Sequence, residues 1–303
     1  MKENLSPKEV AEAIDVSESS VKRWVDGGRL EAFRTAGGHR RILQEEALRF
    51  ARSEGFRLVR PDLLGLPEAP VEDAGAEEPE ESFHRALMSG REAEASGLLV
   101  GRYMDGQPLP HILDTLISPS LRRIGELWRE TEEGIFIEHR AADICERALD
   151  QFRELAPPLP DDAPVAVGGS SARDAHSLPS RMAATVLHEQ GWRVVNLGAF
   201  TPPSTLRHAV SENGARLAWV AVTLLEPGNQ IRRLVADYHA ALQEESTPVS
   251  LAVGGPFFRG ADISGLSGAQ LVTSMGELAA FAQGLHARND PDGPGPAHEE
   301  STG

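Results

Sequence analysis

The sequence predicts a multidomain chain of three folded units: an α-helical helix-turn-helix domain with a β wing, a four-helix bundle, and an α/β domain built on a doubly wound parallel sheet. Three observations carry this reading. Two capped helical patterns followed by a basic Gly-Gly hairpin occupy residues 1–60, apolar residues recur at helical spacing over 82–157, and apolar runs alternate with helical patterns over 163–288. Between the first two units, residues 61–81 are acidic and rich in Pro, Gly and Ala, the composition of a flexible linker; residues 289–303 read as a disordered tail. A length of 303 residues suits this division.

The first unit starts at Ser6-Pro7-Lys8-Glu9, where a serine cap, a proline at the first helical position and a glutamate three residues on form a capping box. Val10, Ala11 and Ile14 supply an apolar face. Asp15-Val16-Ser17 makes the turn, and Ser17 caps a second helix whose inward stripe is Val21, Trp24 and Val25. Its outward residues Ser19, Ser20, Lys22 and Arg23 are small or basic, the types that enter a major groove and hold phosphates. Leu30 to Ile42 reads as two short strands around Ala36-Gly37-Gly38, with Arg34, His39, Arg40 and Arg41 at the hairpin base. Gln44 to Gly55 continues as a helix. This Gly-Gly-His-Arg wing behind a second helix resembles the MerR and excisionase group of winged DNA-binding domains, which implies double-stranded operator DNA as partner.

The formal net charge of −16 is unevenly spread: Lys22 to Arg41 is basic, whereas Asp62, Glu68, Glu72, Asp73, Glu77, Glu78, Glu80 and Glu81 crowd the linker. A basic footprint therefore survives in an acidic chain. With neither a charged leader nor an apolar run long enough for a membrane, the expected place is the cytoplasm. The single cysteine, Cys145, falls inside a helical pattern and reads as a buried apolar residue, which excludes disulfides and thiolate zinc sites.

In the middle unit, apolar residues from Phe83 to Phe152 give four helices, with breaks near Gly106-Gln107-Pro108 and from Thr131 to Gly134. Trp128 is followed, after nine intervening residues, by Glu138-His139, so a flat apolar ring and two polar groups can meet at one end of the bundle. In the last unit, polar or glycine loops follow three strands: Gly168 to Pro179, Thr223 to Gly228, and Gly254-Gly255-Pro256. Ligands bind such sheets at these carboxyl ends. Asp174, two residues before His176, is placed to fix the tautomer of one imidazole and raise its basicity for a metal.

Asp174-x-His176, Thr223-x-Leu225 and Gly254-Gly255 resemble the Rossmann-like, flavodoxin-like cobalamin-binding domain, and Trp128-x9-Glu138-His139 resembles the bundle of CarH-type light-responsive repressors. The resemblance covers about residues 82 to 286. It implies adenosylcobalamin as cofactor, with His176 on cobalt, Asp174 orienting it, and Thr223, Leu225, Gly254 and Gly255 along the nucleotide tail. It further implies that Trp128, Glu138 and His139 cap the upper face, and that ligand and light set a homo-oligomeric state, dimer or tetramer. Two positions depart from the pattern: Pro179 stands for the motif's glycine, and Arg129 stands where a histidine can follow the tryptophan. A second reading is a regulator whose last domain is metal-free and binds another chromophore, a tetrapyrrole or a partner protein. An enzyme is not expected, since no substrate-binding catalytic domain accompanies the sheet.

Overall fold

The computed structural model describes residues 4–66, 78–127, 132–223, 230–245, 247–255, 258 and 266–287. In the first unit, strand β1 (Asn4–Leu5) precedes α1 (Pro7–Ala13) and α2 (Glu18–Asp26), and β2 (Phe33–Arg34) pairs antiparallel with β3 (Arg40–Leu43), followed by α3 (Gln44–Ser53). Both hydrogen bonds of the Ser6–Glu9 capping box are present, and Ser17 accepts from the Ser20 N–H. β1, too short to show periodicity, pairs with β3. Trp24 belongs to the core: its ring lies 5.1 Å from Phe50 and 5.3 Å from Phe56.

Residues 61–64, expected to open the linker, instead form a 3-10 turn whose Leu64 is fully buried, after the Val59 and Arg60 N–H groups bond the Ala13 carbonyl. Residues 67–77 of the linker lie outside the described residues, as do residues 288–303.

The middle segment comprises α4 (Pro79–Ser89), α5 (Glu92–Met104), a continuous helical run made of α6 (Leu109–Ile112), a widened π turn (Leu113–Ile117) and α7 (Ser118–Leu127), and α8 (Glu132–Leu155). The expected break at Thr131–Gly134 ends earlier than its residue types suggest, because α8 already includes Gly134. Cys145 is buried among these helices, and burial pushes its thiol up to about 12.

The last unit runs β4 (Val165–Ser170), α9 (Leu178–Glu189), β5 (Arg193–Asn196), α10 (Pro203–Asn213), β6 (Leu217–Ala221), α11 (Gln230–Leu242), β7 (Ser250–Gly254), β8 (Ala269–Val272) and α12 (Met275–Ala287). All five strands are parallel, in the order β5-β4-β6-β7-β8, so the order reverses between β4 and β6. Crevices for ligands open outside the carboxyl ends at such a reversal. Ala183, Ala184 and Leu187 of α9 pack on the sheet with α12, while Val165, Val167, Val220 and Val253 face α10 and α11.

α9 is buried on two sides. Leu178, Met182 and Val186 join the core of the helical segment, which explains why α9 is buried on faces other than the one against the sheet. Polar ties flank that contact: Ser177 Oγ donates to Glu146 Oε1 at 2.8 Å, and Arg181 Nη2 donates to Asp150 at 2.6 Å. Asp114, in the π turn, accepts from the Met275 and Gly276 N–H groups at 2.8 and 3.0 Å and so caps α12. Among the described residues, no helix is long and apolar enough to cross a membrane.

Candidate functional site

β4 ends at Ser170, and the loop from Ser171 to Ser177 carries Asp174 and His176 over the β4–β6 reversal. The chain is pinned there by its own backbone: Asp174 N–H bonds the Ser171 carbonyl, Ser171 N–H bonds the Ala221 carbonyl, and Ser170 Oγ donates to the His176 carbonyl at 2.5 Å. Tyr238 ties the same loop from below, accepting from the Ala172 N–H at 2.9 Å and donating to the Thr201 carbonyl.

The Asp174 side chain is fully buried. One oxygen takes the His176 main-chain N–H at 3.0 Å and the ring Nδ1 at 2.9 Å; the other takes the Thr223 N–H, and the Thr223 hydroxyl lies 2.7 Å from both. Burial alone would raise this carboxyl, but the bonds from His176 and Thr223 outweigh it and hold it at about 2. It is therefore an anion that can only accept. Nδ1 must then be the protonated nitrogen of neutral His176, which leaves the Nε2 lone pair free on a side chain 47 % exposed. The Asp174 carboxylate raises the imidazole above its ordinary value against the opposing effect of burial, and the Glu138 charge adds to the rise.

That last effect places Glu138 of α8 within electrostatic reach of His176. Its neighbour His139 is 75 % exposed and lies 3.5 Å from the Glu138 carboxylate, so the two residues of the pair face different surroundings. Trp128, Arg129, Leu225 and Pro256 lie outside the described residues. Pro179 occupies the first turn of α9, where a missing N–H costs no hydrogen bond.

The glycines have a use within the protein itself. A Cβ on Gly255 would stand 2.1 Å from the Val222 carbonyl oxygen, and one on Gly168 would stand 2.1 Å from the Trp219 ring. Trp219 is buried, and its Nε1 donates to Ser180 Oγ at 3.0 Å, which donates in turn to Asn196 at 2.9 Å.

Two features were not visible in the motifs. Thr223, expected along a ligand tail, is a donor to Asp174. Phe200 has φ +52, its N–H bonds the Asp174 carbonyl, and its ring is 59 % exposed at the rim of the loop. A left-handed backbone and an exposed aromatic are each unfavourable for a side chain of this type.

In the first unit, Ser19, Lys22, Arg23, Arg34 and His39 are exposed, with Ser20, Arg40 and Arg41 partly so. Lys22 pairs with Glu18 at 2.8 Å and Arg40 with Asp26 at 2.5 Å. Among the described residues, no three His, Cys, Asp or Glu gather as a metal cluster. His176 thus offers a metal one oriented nitrogen.

Residues 5–54 match a family model described as a helix-turn-helix domain, and residues 79–153 match one described as a B12 binding domain. No curated protein matches the chain. Similar solved structures include the monomethylamine corrinoid protein of Methanosarcina barkeri, at 16% identity and TM-score 0.48, covering 68% of this chain and 98% of that one. Another is the methanol:cobalamin methyltransferase complex MtaBC of the same organism, at 16% identity and TM-score 0.36, covering 90% and 93%. A cobalamin-binding protein of Desulfitobacterium hafniense DCB-2 follows at 15% identity and TM-score 0.35, covering 69% and 98%.

Proposed function

We propose that the chain is a CarH-type transcriptional repressor that senses light through adenosylcobalamin held between a four-helix bundle and the parallel-sheet domain. The observation that carries this reading is the Asp174–His176 pair: a buried carboxylate fixes the tautomer, and Nε2 is left bare at the strand reversal, near Glu138 of the segment that matches a B12 binding domain. A single imidazole would suit a metal whose remaining donors come with the cofactor itself. The donor set therefore fits cobalt in a corrin.

In this reading His176 would hold the cobalt and Asp174 would orient the ring, while Thr223, Leu225, Gly254, Gly255, Trp128, Glu138 and His139 would contact the rest of the cofactor. When bound, adenosylcobalamin supplies a cobalt–carbon bond that visible light breaks. The chain's own part is to hold Nδ1 on the Asp174 carboxylate so that Nε2 is the nitrogen presented to the metal. Ser19, Ser20, Lys22, Arg23, Arg34, His39, Arg40 and Arg41 of the winged helix-turn-helix contact operator DNA, and light-dependent pairing of subunits as dimer or tetramer multiplies that grip.

Absorption spectra and gel filtration of the protein with adenosylcobalamin, in darkness and after green light, test this. A corrinoid spectrum that changes with light, together with a shifted elution volume, is expected. No bound corrinoid would sink it, and a spectrum unchanged by His176→Ala would sink the ligand assignment. One observation favours the second reading, a metal-free regulator domain for another chromophore or a partner: Val222 and Trp219 already account for Gly255 and Gly168 without any tail. The same spectra separate the two.

A further inference from the structure

The helix-turn-helix unit is held to the other two by more than the chain that joins them. α3 packs on α5 and α8, and Arg52, on the last turn of α3, reaches out of its own unit. Its Nη1 donates to the Tyr103 main-chain carbonyl on α5, its Cζ lies 3.3 Å from the centroid of the Tyr103 ring, and its Nη2 donates to Glu189 Oε1 at 3.1 Å. One guanidinium touches all three units. Tyr103 is 1% exposed, and the Arg52 and Glu189 side chains are 22% and 15% exposed. Separating the pair would leave a largely buried carboxylate without its cation. Elsewhere on the same seam the charges oppose: burial raises the Glu154 carboxyl of α8, and Glu45 of α3 raises it further. The rest of the junction is apolar, with Ala47, Leu48, Phe50 and Ala51 of α3 sharing one core with α5 and α8.

Glu189 is the last residue of α9, and His176 lies two residues before its first. Twelve helical residues span about 18 Å, and this helix is gripped on both sides. Its start is tied to α8 through Ser177–Glu146 and Arg181–Asp150, so a displacement of the His176 loop against α8 is carried into α9. We infer that α9 acts as a lever between the His176 loop and the Arg52–Tyr103–Glu189 contact, and that occupancy at His176 loosens the hold on the helix-turn-helix unit. Lys22 and Arg40 take no part in the contact, so release changes the freedom of the unit without altering its groove-facing surface.

This inference rests on the reading of the preceding subsection. Hydrogen exchange of the full chain, with and without adenosylcobalamin in darkness and with the corrinoid absorbance read on the same sample, tests it. In the wild type, bound adenosylcobalamin should speed exchange in residues 44–53 by about tenfold. Arg52→Ala should show that faster exchange without the cofactor and no further change with it; Glu189→Gln should do the same, and Arg52→Lys should fall between. Corrinoid bound with exchange in α3 unchanged overturns the lever alone. So does an Arg52→Ala or Glu189→Gln protein that responds as the wild type does. Absence of a corrinoid spectrum overturns the functional reading, and the lever with it.

Discussion

Asp174 and Thr223 are joined across the reversal between β4 and β6, the buried carboxylate accepting from both the main-chain N–H and the hydroxyl of the threonine. The same carboxylate holds Nδ1 of His176, so one anion fixes the strand ends and the imidazole together. The Asp174 carboxyl titrates at about 2 against an ordinary 3.8. Its contribution, on the order of 2 kcal/mol, is present above pH 3.8 and is lost as pH falls through the folded value. His176 is raised, so its contribution is full below its ordinary 6.5 and is lost as pH rises through the folded value. Asp174→Asn should lower the His176 midpoint in an NMR titration of the cofactor-free protein, and should shrink the acid limb of a plot of urea stability against pH. A His176 midpoint unmoved by the substitution would show that the carboxylate does not control the ring.

Gly168→Ala drives a methyl into the indole of Trp219, a buried ring that cannot turn aside without giving up its bond to Ser180. A loss of about 3 kcal/mol is expected from such overpacking, measured as the fall in urea midpoint at constant slope. If the variant is as stable as the wild type, the strand ends are looser than their contacts show.

Phe200→Gly should make the protein more stable by about 1 kcal/mol, because a left-handed backbone is costly for Phe and free for Gly. If the exposed ring borders the cofactor, the same change weakens adenosylcobalamin binding. Thermal melts of the cofactor-free protein and equilibrium titration by absorbance read the two effects separately. A stabilised variant with unchanged affinity would leave the strain without a use at this site.

DNA binding must compete with ion pairs already made. Asp26→Asn frees Arg40, and Glu18→Gln frees Lys22; each should tighten binding to duplex DNA at low salt. Lys22→Ala should weaken it and flatten the plot of log affinity against log salt by about one counterion. Fluorescence anisotropy across a salt series measures both, and an unchanged slope for Lys22→Ala would remove that residue from the contact surface.

The capping box, the turn at Ser17, α10 from Pro203 to Asn213 and the order of strands and helices were legible because their signals are local: a cap, a proline, a period. β8 was not, since its four residues lie on an edge and show little alternation. The site was half legible. Asp174 and His176 declare themselves by adjacency, whereas the Thr223 bond to Asp174 spans 49 residues and is made partly by the backbone, which carries no sequence signature. Arg52 looks like the last basic residue of an amphipathic helix, and nothing near it in the chain points to Glu189, 137 residues away.

The residues that separate the units along the chain do not mark where they separate in space. Exchanging residues 1–66 between two related chains divides the Arg52 guanidinium from the Glu189 carboxylate that pairs with it. A hybrid that inherits Glu189 without Arg52 carries a stranded charge beside Tyr103. A swap of the first unit keeps this contact only where Arg52 and Glu189 are carried over together.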